Sequence, residues 1–480
     1  MMKTNRIGRP GVLAMAVVGV LAASWILPPA VHQARRLCPV RPDGVSEAGA
    51  YSNFARRYGV SCSVCHSSYP QLTEVGYKFR IAGYRMPDEI GNDAKWSNWG
   101  DNAALRMSET YTAAATKGNT GGSTPETNGF SNSGIEMYPL EGAFGKYVAF
   151  NSEVDFVAGK TPVGTVKNTD ASYSAAAGTP GQVAMNTMNL LATFPINADS
   201  FATVRTGLFQ ATQGYGASDR GVGNLSPTFK PTPSQVQPGN GTKKFTYAGF
   251  APTGEGIELA YNWKGTHIAA QVLNGYNSFN ASANQGEDNH YKDFGLFINQ
   301  MIGESAIAAY FYNGTTGYAK DASVITNGVG GAETAGSPFT ANWYDNYMRG
   351  IAYGTIKFLK DEKLDLLIGA CDSIDHVYDL TRQESSHTFH SIGWFTTLQS
   401  MNQIKGTQLT TALSYGTNRA STAVASNRVS DVTLSFAVPI ENNKFTFDLQ
   451  NRRTQAPGFG ANADKDTIAN TAAVSWQFMY

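Results

Sequence analysis

The chain has 480 residues, its 37 Lys and Arg balance 37 Asp and Glu, and only 15% of its residues are charged. A net charge of zero gives no argument for a nucleic-acid partner, because nucleic-acid-binding domains are usually strongly basic. Fifty glycines, 23 tyrosines and 25 phenylalanines favour strands and turns over helices.

The first residues predict a secretory signal peptide. Three basic residues precede an apolar stretch at 12–27, which is the order of a basic tip and an apolar core. A single membrane anchor is the alternative, but Pro28 and Pro29 shorten the apolar stretch. We expect residues 1–34 to be the signal peptide, cleaved at a position between 23 and 34. Because no other apolar run reaches the ~18 residues that a spanning helix needs, the protein would cross a membrane only as a β-barrel.

Cysteines are few in this chain, which has four in 480 residues. Four cysteines in a long exported protein do not form a disulfide scaffold. The sequence leaves open whether Cys38 is free or paired with Cys371.

Residues 62–66 read Cys-Ser-Val-Cys-His. Two thiols three residues apart can each add to one vinyl group of a porphyrin, and the adjacent histidine can bind the iron. A redox disulfide would need a thioredoxin-like setting, and a zinc site would need a second Cys/His pair nearby. A plain structural disulfide would not require His66. The motif therefore predicts one covalent c-type haem on Cys62 and Cys65, with His66 as the proximal axial ligand of the iron.

The distal ligand of the iron lies outside the motif. Met86, in the stretch Tyr-Arg-Met-Pro-Asp, is the first choice, because a thioether stabilises ferrous haem and raises its reduction potential. The alternative is that Met86 only packs against the haem edge.

Beyond about Trp99, apolar and polar residues alternate in stretches of strand length. Ile257, Leu259, Tyr261 and Trp263 interleave with polar or small residues, and Lys264-Gly265 then forms a turn. A period of two places one set on each face of a strand. A soluble β-sandwich would show the same alternation, so the spacing of the turns must decide.

Short connections alternate with long segments rich in Gly, Thr, Ser and Asn. The short ones lie at 145–146, 195–200, 264–265, 303–304, 359–363, 402–406 and 441–443. Short turns on one side and long loops on the other are typical of an outer-membrane barrel, and seven turns between eight loops imply about sixteen strands. We therefore expect residues 101–480 to form an all-β transmembrane barrel of about sixteen antiparallel strands.

The end of the chain supports the same prediction. Val474, Trp476, Phe478 and Tyr480 share one strand face, and aromatic side chains are favoured at the bilayer interface. Several charged side chains are expected on the opposite, lumen-facing side of strands, where they could guide ions or simply solvate the lumen: Glu153, Asp155, Glu258, Asp365, Asp431, Asp448 and Arg452.

The flanks of the haem motif also resemble a known family. The resemblance is carried by Phe54, Arg56, Tyr58 and Gly59 before the motif and by Pro70, Leu72, Gly76, Phe79, Gly83 and Tyr84 after it. A motif with these flanks, ahead of a barrel, resembles the fused outer-membrane monohaem c-type cytochrome–porins of iron-oxidising bacteria. The local match covers 54–87, and over the barrel it rests on architecture and length alone.

The resemblance implies that residues 35–100 are a small, mainly helical monohaem cytochrome c segment that plugs the lumen. It implies an oxidoreductase in the outer membrane, with surface-exposed loops, that oxidises extracellular Fe(II). Its electrons would pass to a periplasmic carrier, either a blue-copper protein or a soluble cytochrome c. Two alternatives stay open: a diffusion porin with a structural haem plug, and an electron conduit for a different extracellular donor.

Overall fold

The fold comes from a computed structural model. It describes residues 53–60, 62–68, 71–94, 102–118, 126–157, 166–167, 173–174, 182–212, 221–230, 234–236, 244–246, 253–274, 292–317, 343–358, 364–379, 387–404, 407–419, 428–440, 443–455 and 466–479. The predicted signal peptide, Cys38 and Tyr480 lie outside the described residues.

The N-terminal segment, residues 53–94, is mainly helical. Its elements are α1 (Asn53–Tyr58), α2 (Cys62–Cys65), the short strands β1 (His66–Ser68) and β2 (Gln71–Leu72), α3 (Glu74–Ile81) and a 3-10 helix (Pro87–Glu89). β1 and β2 pair with each other in an antiparallel hairpin. Among the described residues, no helix has the length and apolar character needed to cross a membrane.

The rest of the described chain is almost entirely strand. The strands are β3 (Ala104–Gly118), β4 (Glu126–Tyr138), β5 (Glu141–Phe144), β6 (Val148–Val157), β7 (Val166–Lys167), β8 (Tyr173–Ser174), β9 (Gln182–Asn197), β10 (Ser200–Gln210), β11 (Ser234–Val236), β12 (Lys244–Thr246), β13 (Thr253–Trp263), β14 (Thr266–Leu273), β15 (Asp293–Ile302), β16 (Ser305–Gly317), β17 (Trp343–Lys357), β18 (Leu364–Asp379), β19 (His387–Ile404), β20 (Thr407–Arg419), β21 (Arg428–Ile440), β22 (Asn443–Gln455) and β23 (Thr467–Met479). β7 pairs only with β8, and β11 only with β12, as two small hairpins outside the main sheet.

All the other strands from β3 onward form one closed barrel, in which β23 pairs with β3. β4 and β5 both pair with β6, so they are two parts of one barrel strand that is interrupted at Pro139 and Leu140. Proline has no N–H to donate to a sheet, which explains the interruption. The barrel therefore has sixteen antiparallel strands, and each of the seven predicted short connections joins two neighbouring strands. The predicted number of strands and the predicted short connections are both confirmed.

Side chains alternate between an apolar outer face and a polar inner face. On β13, Ile257, Leu259 and Trp263 are 52%, 58% and 49% exposed, whereas Glu258 and Asn262 are buried. The predicted lumen-facing residues all lie on the inner face. Four of them are buried there: Glu258, Asp365, Asp431 and Asp448. Arg452 pairs with Asp431, Glu153 pairs with the buried Thr187, and the Asp155 carboxylate lies beside that of Glu153. A sheet with this pattern faces lipid outside and encloses its polar groups inside.

The closing strand places aromatic side chains on the outer face near the short-turn rim. Val474 is 50% exposed and Trp476 is 38% exposed. The Trp476 Nε1–H donates to Asn443 Oδ1 at 2.7 Å, so the ring is held at the end of β22. An aromatic ring with one polar tip is most stable at the interface between lipid and water. This strand therefore matches the sequence-based expectation for the edge of a membrane band.

Candidate functional site

The Cys-x-x-Cys-His motif is held from behind by the start of α3. Thr73, the N-cap of α3, accepts a hydrogen bond from the Gly76 N–H at 3.2 Å and donates its hydroxyl proton to the Val64 carbonyl at 2.6 Å. The Thr73 N–H donates to the Cys65 carbonyl at 2.9 Å. One threonine thus caps α3 and fixes the end of α2 to it.

Gly76 is the closest point between α3 and the motif. A Cβ at this position would lie 2.1 Å from the Cys65 carbonyl oxygen. No side chain fits in that space, so only glycine allows α3 to lie directly on the backbone of the motif. Gly76 is one of the residues that carry the family resemblance, and this contact gives it a physical reason.

The predicted haem ligands lie along this compact segment. Cys65 and His66 are consecutive and half-buried, and the His66 Nδ1 is shielded from solvent. The backbone of Cys62 begins α2. Met86 is half-buried at the N-cap of the 3-10 helix and packs against the cluster of Phe79, Tyr84, Ala149 and Leu191. The roles of Cys62 and Cys65 in haem attachment, and of His66 and Met86 as iron ligands, remain predictions.

An aromatic cluster gives the segment its own small core. The Phe54 ring stacks on the Tyr84 ring at 5.1 Å, and Phe54 and Tyr58 both meet Phe79 edge-on, at 5.0 and 5.5 Å. The Tyr58 hydroxyl donates to Glu89 Oε2 at 2.8 Å. Burial raises the pKa of Tyr84 to about 12, and burial together with the Glu89 hydrogen bond raises the pKa of Tyr58 well above its usual value. Both phenols are therefore held in the neutral form.

Two arginines anchor the segment to the short-turn rim of the barrel. The Arg85 guanidinium donates to the carbonyls of Lys146 and Val148 at 2.5 and 2.9 Å, across the β5–β6 turn. Burial lowers the pKa of Arg85, and these carbonyls supply the hydrogen bonds that burial would otherwise remove. Arg57 donates to the Ala143 carbonyl at 3.4 Å. The segment is thus fixed at the rim where the short turns lie, which is the periplasmic side of an outer-membrane barrel.

Further contacts reach the opposite wall of the barrel. The side chains of Gln71 and Gln399 hydrogen-bond each other in both directions at 2.9 Å. Tyr77 and Ile81 of α3 belong to one buried hydrophobic cluster with inner-wall residues such as Tyr353 and Phe395. The N-terminal segment therefore packs inside the barrel, between its walls.

A second piece of chain also lies against the inner wall. This inner segment, residues 221–230, follows β10. The backbone N–H of Asn224 donates to Asp448 at 2.8 Å, and that of Thr228 donates to both carboxylate oxygens of Asp431 at 3.1 and 3.0 Å. The Phe229 ring meets Phe395 at 4.6 Å and belongs to the same hydrophobic cluster as Tyr77.

Glycines on the wall make room for this inner segment. A Cβ on Gly393 would lie 1.7 Å from the Phe229 carbonyl oxygen, and one on Gly416 would lie 2.7 Å from the Thr228 nitrogen. The Cys371 thiol donates to the same Phe229 carbonyl at 3.2 Å. This contact accounts for the inner-face position of Cys371, and its pairing with Cys38 remains an untested alternative.

A polar pocket separates α3 from one part of the wall. It is lined by Arg80, Ile81 and Tyr84 of the N-terminal segment and by wall residues that include Arg205, Glu258 and His267. Glu258 accepts from Arg205 and from Gln271, both at 2.6 Å. The predicted lumen carboxylate Glu258 is therefore part of a buried ion-pair network beside α3.

Three inner-face carboxylates lie close together on β4 and β6. Ligand oxygens of Glu136, Glu153 and Asp155 all lie within 4.8 Å of one another. Arg106 forms an ion pair with Glu136, and the Tyr138 hydroxyl donates to the same carboxylate at 3.0 Å. The sequence pattern identified Glu153 and Asp155 as inward-facing. It missed Glu136, because that grouping depends on the β4–β6 pairing.

The residues of the motif fit a covalently bound haem. The donor set consists of two thiols and an imidazole within five residues. Gly76 lets α3 pack directly against the backbone of the motif. A half-buried thioether on the same segment offers a soft second ligand for iron. Nothing in this donor set favours zinc, for which no second Cys/His pair lies nearby in sequence.

No protein-family model matches the chain, and no curated protein is significantly similar to it in sequence. The chain is similar to several solved outer-membrane proteins at low sequence identity. OprB of Pseudomonas putida is 9% identical, with 79% of this chain and 94% of OprB covered and a TM-score of 0.42. OmpT of Vibrio cholerae is 12% identical, with 81% and 100% covered and a TM-score of 0.40. OccAB1 of Acinetobacter baumannii is 10% identical, with 81% and 99% covered and a TM-score of 0.34.

The location follows from the barrel itself. Sixteen antiparallel strands close on themselves, their outer face is apolar, and short turns alternate with long loops. Closed barrels of this kind span the outer membrane. The protein is an outer-membrane β-barrel of a Gram-negative cell.

Proposed function

We propose that this protein is an outer-membrane electron-transfer cytochrome that oxidises extracellular Fe(II) and delivers the electrons to a periplasmic carrier, with one c-type haem as its redox group. The observation that carries the proposal is a Cys-x-x-Cys-His motif on a segment that is packed inside a closed membrane barrel. A haem held there would lie on a path for electrons through the barrel, whereas solute diffusion through a pore needs no redox group.

The chain's own residues would divide the work as follows. Cys62 and Cys65 would attach the haem through thioether bonds, His66 would bind its iron through a ring nitrogen, and Met86 would supply a second iron ligand. When bound, the haem supplies a one-electron acceptor whose potential depends on its ligands and its burial. Thr73 and Gly76 hold the motif against α3, and Arg57 and Arg85 keep the whole segment at the periplasmic rim. That rim is the side on which a blue-copper protein or a soluble cytochrome c could approach.

The substrate reaction needs no bond to the protein. Each Fe(II) loses one electron and leaves as Fe(III), so outer-sphere contact is enough. The oxidation therefore needs no acid, base or nucleophile among the side chains. The inner-face carboxylates, including Glu153 and Asp155, are suited to attract a divalent cation into the lumen.

Stopped-flow mixing of the matured full-length protein with Fe(II) at low pH tests this proposal. We expect the ferric haem absorbance to convert to the ferrous spectrum on mixing. His66→Ala should alter that spectrum and slow the conversion, whereas Cys371→Ser, a cysteine of the barrel wall, should leave both unchanged. A haem that dithionite reduces and Fe(II) does not would overturn the choice of donor and favour a different extracellular reductant. A colourless mature protein would overturn the cytochrome assignment.

The alternative function is a diffusion porin in which the haem only stabilises a plug. The observation in its favour is the barrel itself, because sixteen strands can enclose an aqueous channel. The shared hydrophobic cluster of Tyr77, Phe229, Tyr353 and Phe395 weighs against it, since these side chains fill interior space. Planar-bilayer recordings separate the two, because a porin should show steady solute-permeable conductance and a haem that does not respond to Fe(II).

A further inference from the structure

Four cations lie close together on the outer face of the barrel, near the long-loop rim. They are Lys117 on β3, Arg419 on β20, Arg428 on β21 and Arg453 on β22. Their outward direction follows from the strand register. Arg419 pairs with Ile392, which is 41% exposed on the outer face, and both Arg453 and Lys117 pair with Ile468, which is 40% exposed there. We call these four residues the outer basic cluster.

The outer basic cluster lies at the level of the outer membrane surface. Arg419 is 12 residues beyond the start of β20 at Thr407, and Arg453 is 10 residues beyond the start of β22 at Asn443. With ~3.3 Å per residue and a strand tilt of ~40°, these side chains lie roughly 25–30 Å above the short-turn rim. An apolar barrel band is ~25 Å tall, so the cluster begins where lipid headgroups lie.

Two of these cations face each other without a carboxylate between them. Arg419 lies directly opposite Arg428 in the β20–β21 register, and like charges in that position destabilise a sheet. The Arg428 guanidinium extends along the outer wall and donates to Thr417 Oγ1 at 3.1 Å and to the Tyr415 hydroxyl at 3.2 Å, both neutral acceptors. An anion bound between the two arginines would remove the repulsion.

The nearby carboxylates leave an excess of positive charge. Asp466 forms an ion pair with Arg453 at 2.6 Å, and Asp372 forms one with His390 at 2.5 Å. Among the described side chains of this patch, the four cations of the cluster therefore have a single paired acid. The connecting sequences at 119–125 and 420–427 contain no charged residue, and 456–465 adds one acid and one base. Glu126, which pairs with Ala115 in the β3–β4 register, adds one further acid on this face, and a net positive charge remains.

An apolar groove opens immediately below the cluster on the same face. In the strand register, Asn451 and Asn470 lie two residues below Arg453 and Ile468, and their side chains hydrogen-bond at 2.7 Å. The groove beneath has a volume of about 510 Å³. Small side chains deepen it and larger ones border it: Ala113, Ala115, Ala472, Val432, Leu434 and Leu449. Cations above and an apolar groove below form the two halves of a site for an amphipathic anion.

We propose that this face binds a phosphorylated glycolipid of the outer leaflet, of the lipid A class. Its phosphates would lie on the outer basic cluster, where guanidinium groups make paired, charge-assisted hydrogen bonds to phosphate oxygens. One of its acyl chains would occupy the groove between Leu449 and Ala472. Charge complementarity selects this occupant. The apolar groove lies directly below the outer basic cluster, whose excess positive charge is at the height of the lipid headgroups and matches the negative charge of the phosphates. The site goes beyond the proposed function and does not depend on haem.

Native mass spectrometry of the purified full-length protein tests the charged half of this site. Bisphosphorylated lipid A is added, and the same lipid without phosphates is the comparison. Arg428→Gln with Arg453→Gln should weaken binding about thirtyfold, because a basic residue near an anionic headgroup contributes about 1 kcal/mol. The control is Lys146→Gln with Lys264→Gln, which removes two exposed charges at the opposite rim, and it should bind as the wild type does. The heat-dependent gel shift of each variant checks that the barrel has formed.

Filling the groove tests the apolar half without a change of charge. Ala472→Phe should weaken binding of lipid A, because the phenylalanine ring fills the part of the groove that the acyl chain would occupy. It should leave binding of the phosphorylated disaccharide headgroup unchanged. Equal binding of the dephosphorylated lipid, or no effect of the double arginine variant, would overturn the proposal. Equal binding of phosphatidylglycerol would assign the site to a phospholipid instead. A dimer that the arginine variant dissociates would assign it to a second copy of the chain.

Discussion

Gln71 and Gln399 are 328 residues apart in the chain, and each donates its side-chain amide to the other at 2.9 Å inside the barrel. Gln71 follows the Cys-x-x-Cys-His motif by five residues, and Gln399 lies on the inner face of β19 with no exposed surface. The pair therefore links the N-terminal segment to β19, on the side of the barrel opposite the β5–β6 turn where Arg57 and Arg85 anchor the segment.

Gln399→Leu should loosen the N-terminal segment and leave the barrel intact. The substitution leaves the buried Gln71 amide without its partner, which costs about 1–3 kcal/mol. Limited proteolysis should then cut the segment faster, while the heat-dependent gel shift of the barrel stays as in the wild type. In Gln71→Leu with Gln399→Leu both polar groups are gone, and much of the protection should return. A double variant as sensitive as the single one would show that the pair does not fix the segment.

Gly76→Ala should separate α3 from the haem motif. The added methyl would lie 2.1 Å from the Cys65 carbonyl oxygen, and relief of such overpacking costs about 1–3 kcal/mol. We expect faster hydrogen exchange in α3 and less covalent haem for each folded barrel. Val75→Ala, at a position that is 37% exposed on the same helix, is the control and should change neither. Full haem content in Gly76→Ala would contradict the supporting role of this glycine.

The docking of the N-terminal segment should weaken in alkali. Tyrosine ionises near pH 10 in an unfolded chain, and burial raises the pKa of Tyr84 to about 12 in the folded protein. Because the folded state holds the phenolic proton more tightly, its contribution is fully present below pH 10 and is lost as the pH rises from 10 to 12. In that window, the free energy by which the segment docks should weaken by about 1.4 kcal/mol for each pH unit.

Protease sensitivity of the segment between pH 8 and pH 12 measures this effect. Tyr84→Phe keeps the stack on Phe54 and has no proton to lose, so its sensitivity should rise less steeply with pH than that of the wild type. Identical pH profiles for the two proteins would assign the alkaline response to other groups.

Much of the barrel can be read from the sequence, because its signals are local. The alternation from Ile257 to Trp263 and the turn at Lys264-Gly265 appear in the structure as a strand with an apolar outer face and a tight turn. Pro139 is likewise a local signal for the break between β4 and β5, since proline cannot donate to the sheet. Contacts between distant parts of the chain leave no such signal. The contact between Glu136 and Glu153 could not be predicted without knowing how β4 pairs with β6. The contact between Gln71 and Gln399 could not be predicted without knowing how the N-terminal segment packs in the barrel.

The inner segment at 221–230 is the clearest case of a feature that the sequence hides. Its Gly, Asn, Pro and Ser composition is typical of an external loop. Asp431 and Asp448 on the barrel wall instead accept backbone N–H groups of this segment and hold it within the barrel. Carboxylates that accept backbone N–H groups make charge-assisted bonds, which are stronger than neutral ones.

Asp431→Ala with Asp448→Ala should therefore open the interior. Loss of the two carboxylates leaves the N–H groups of Asn224 and Thr228 without their acceptors, at about 1–3 kcal/mol each, so the segment should leave the wall. In planar bilayers we expect low, steady conductance from the wild type and larger, fluctuating openings from the double variant. Asp199→Ala removes a charge at the short-turn rim, where Asp199 pairs with Lys264 at 3.4 Å, and should conduct like the wild type. Equal, large conductance in the wild type and both variants would mean that neither the inner segment nor the N-terminal segment closes the lumen. The diffusion porin would then be the better account of the barrel.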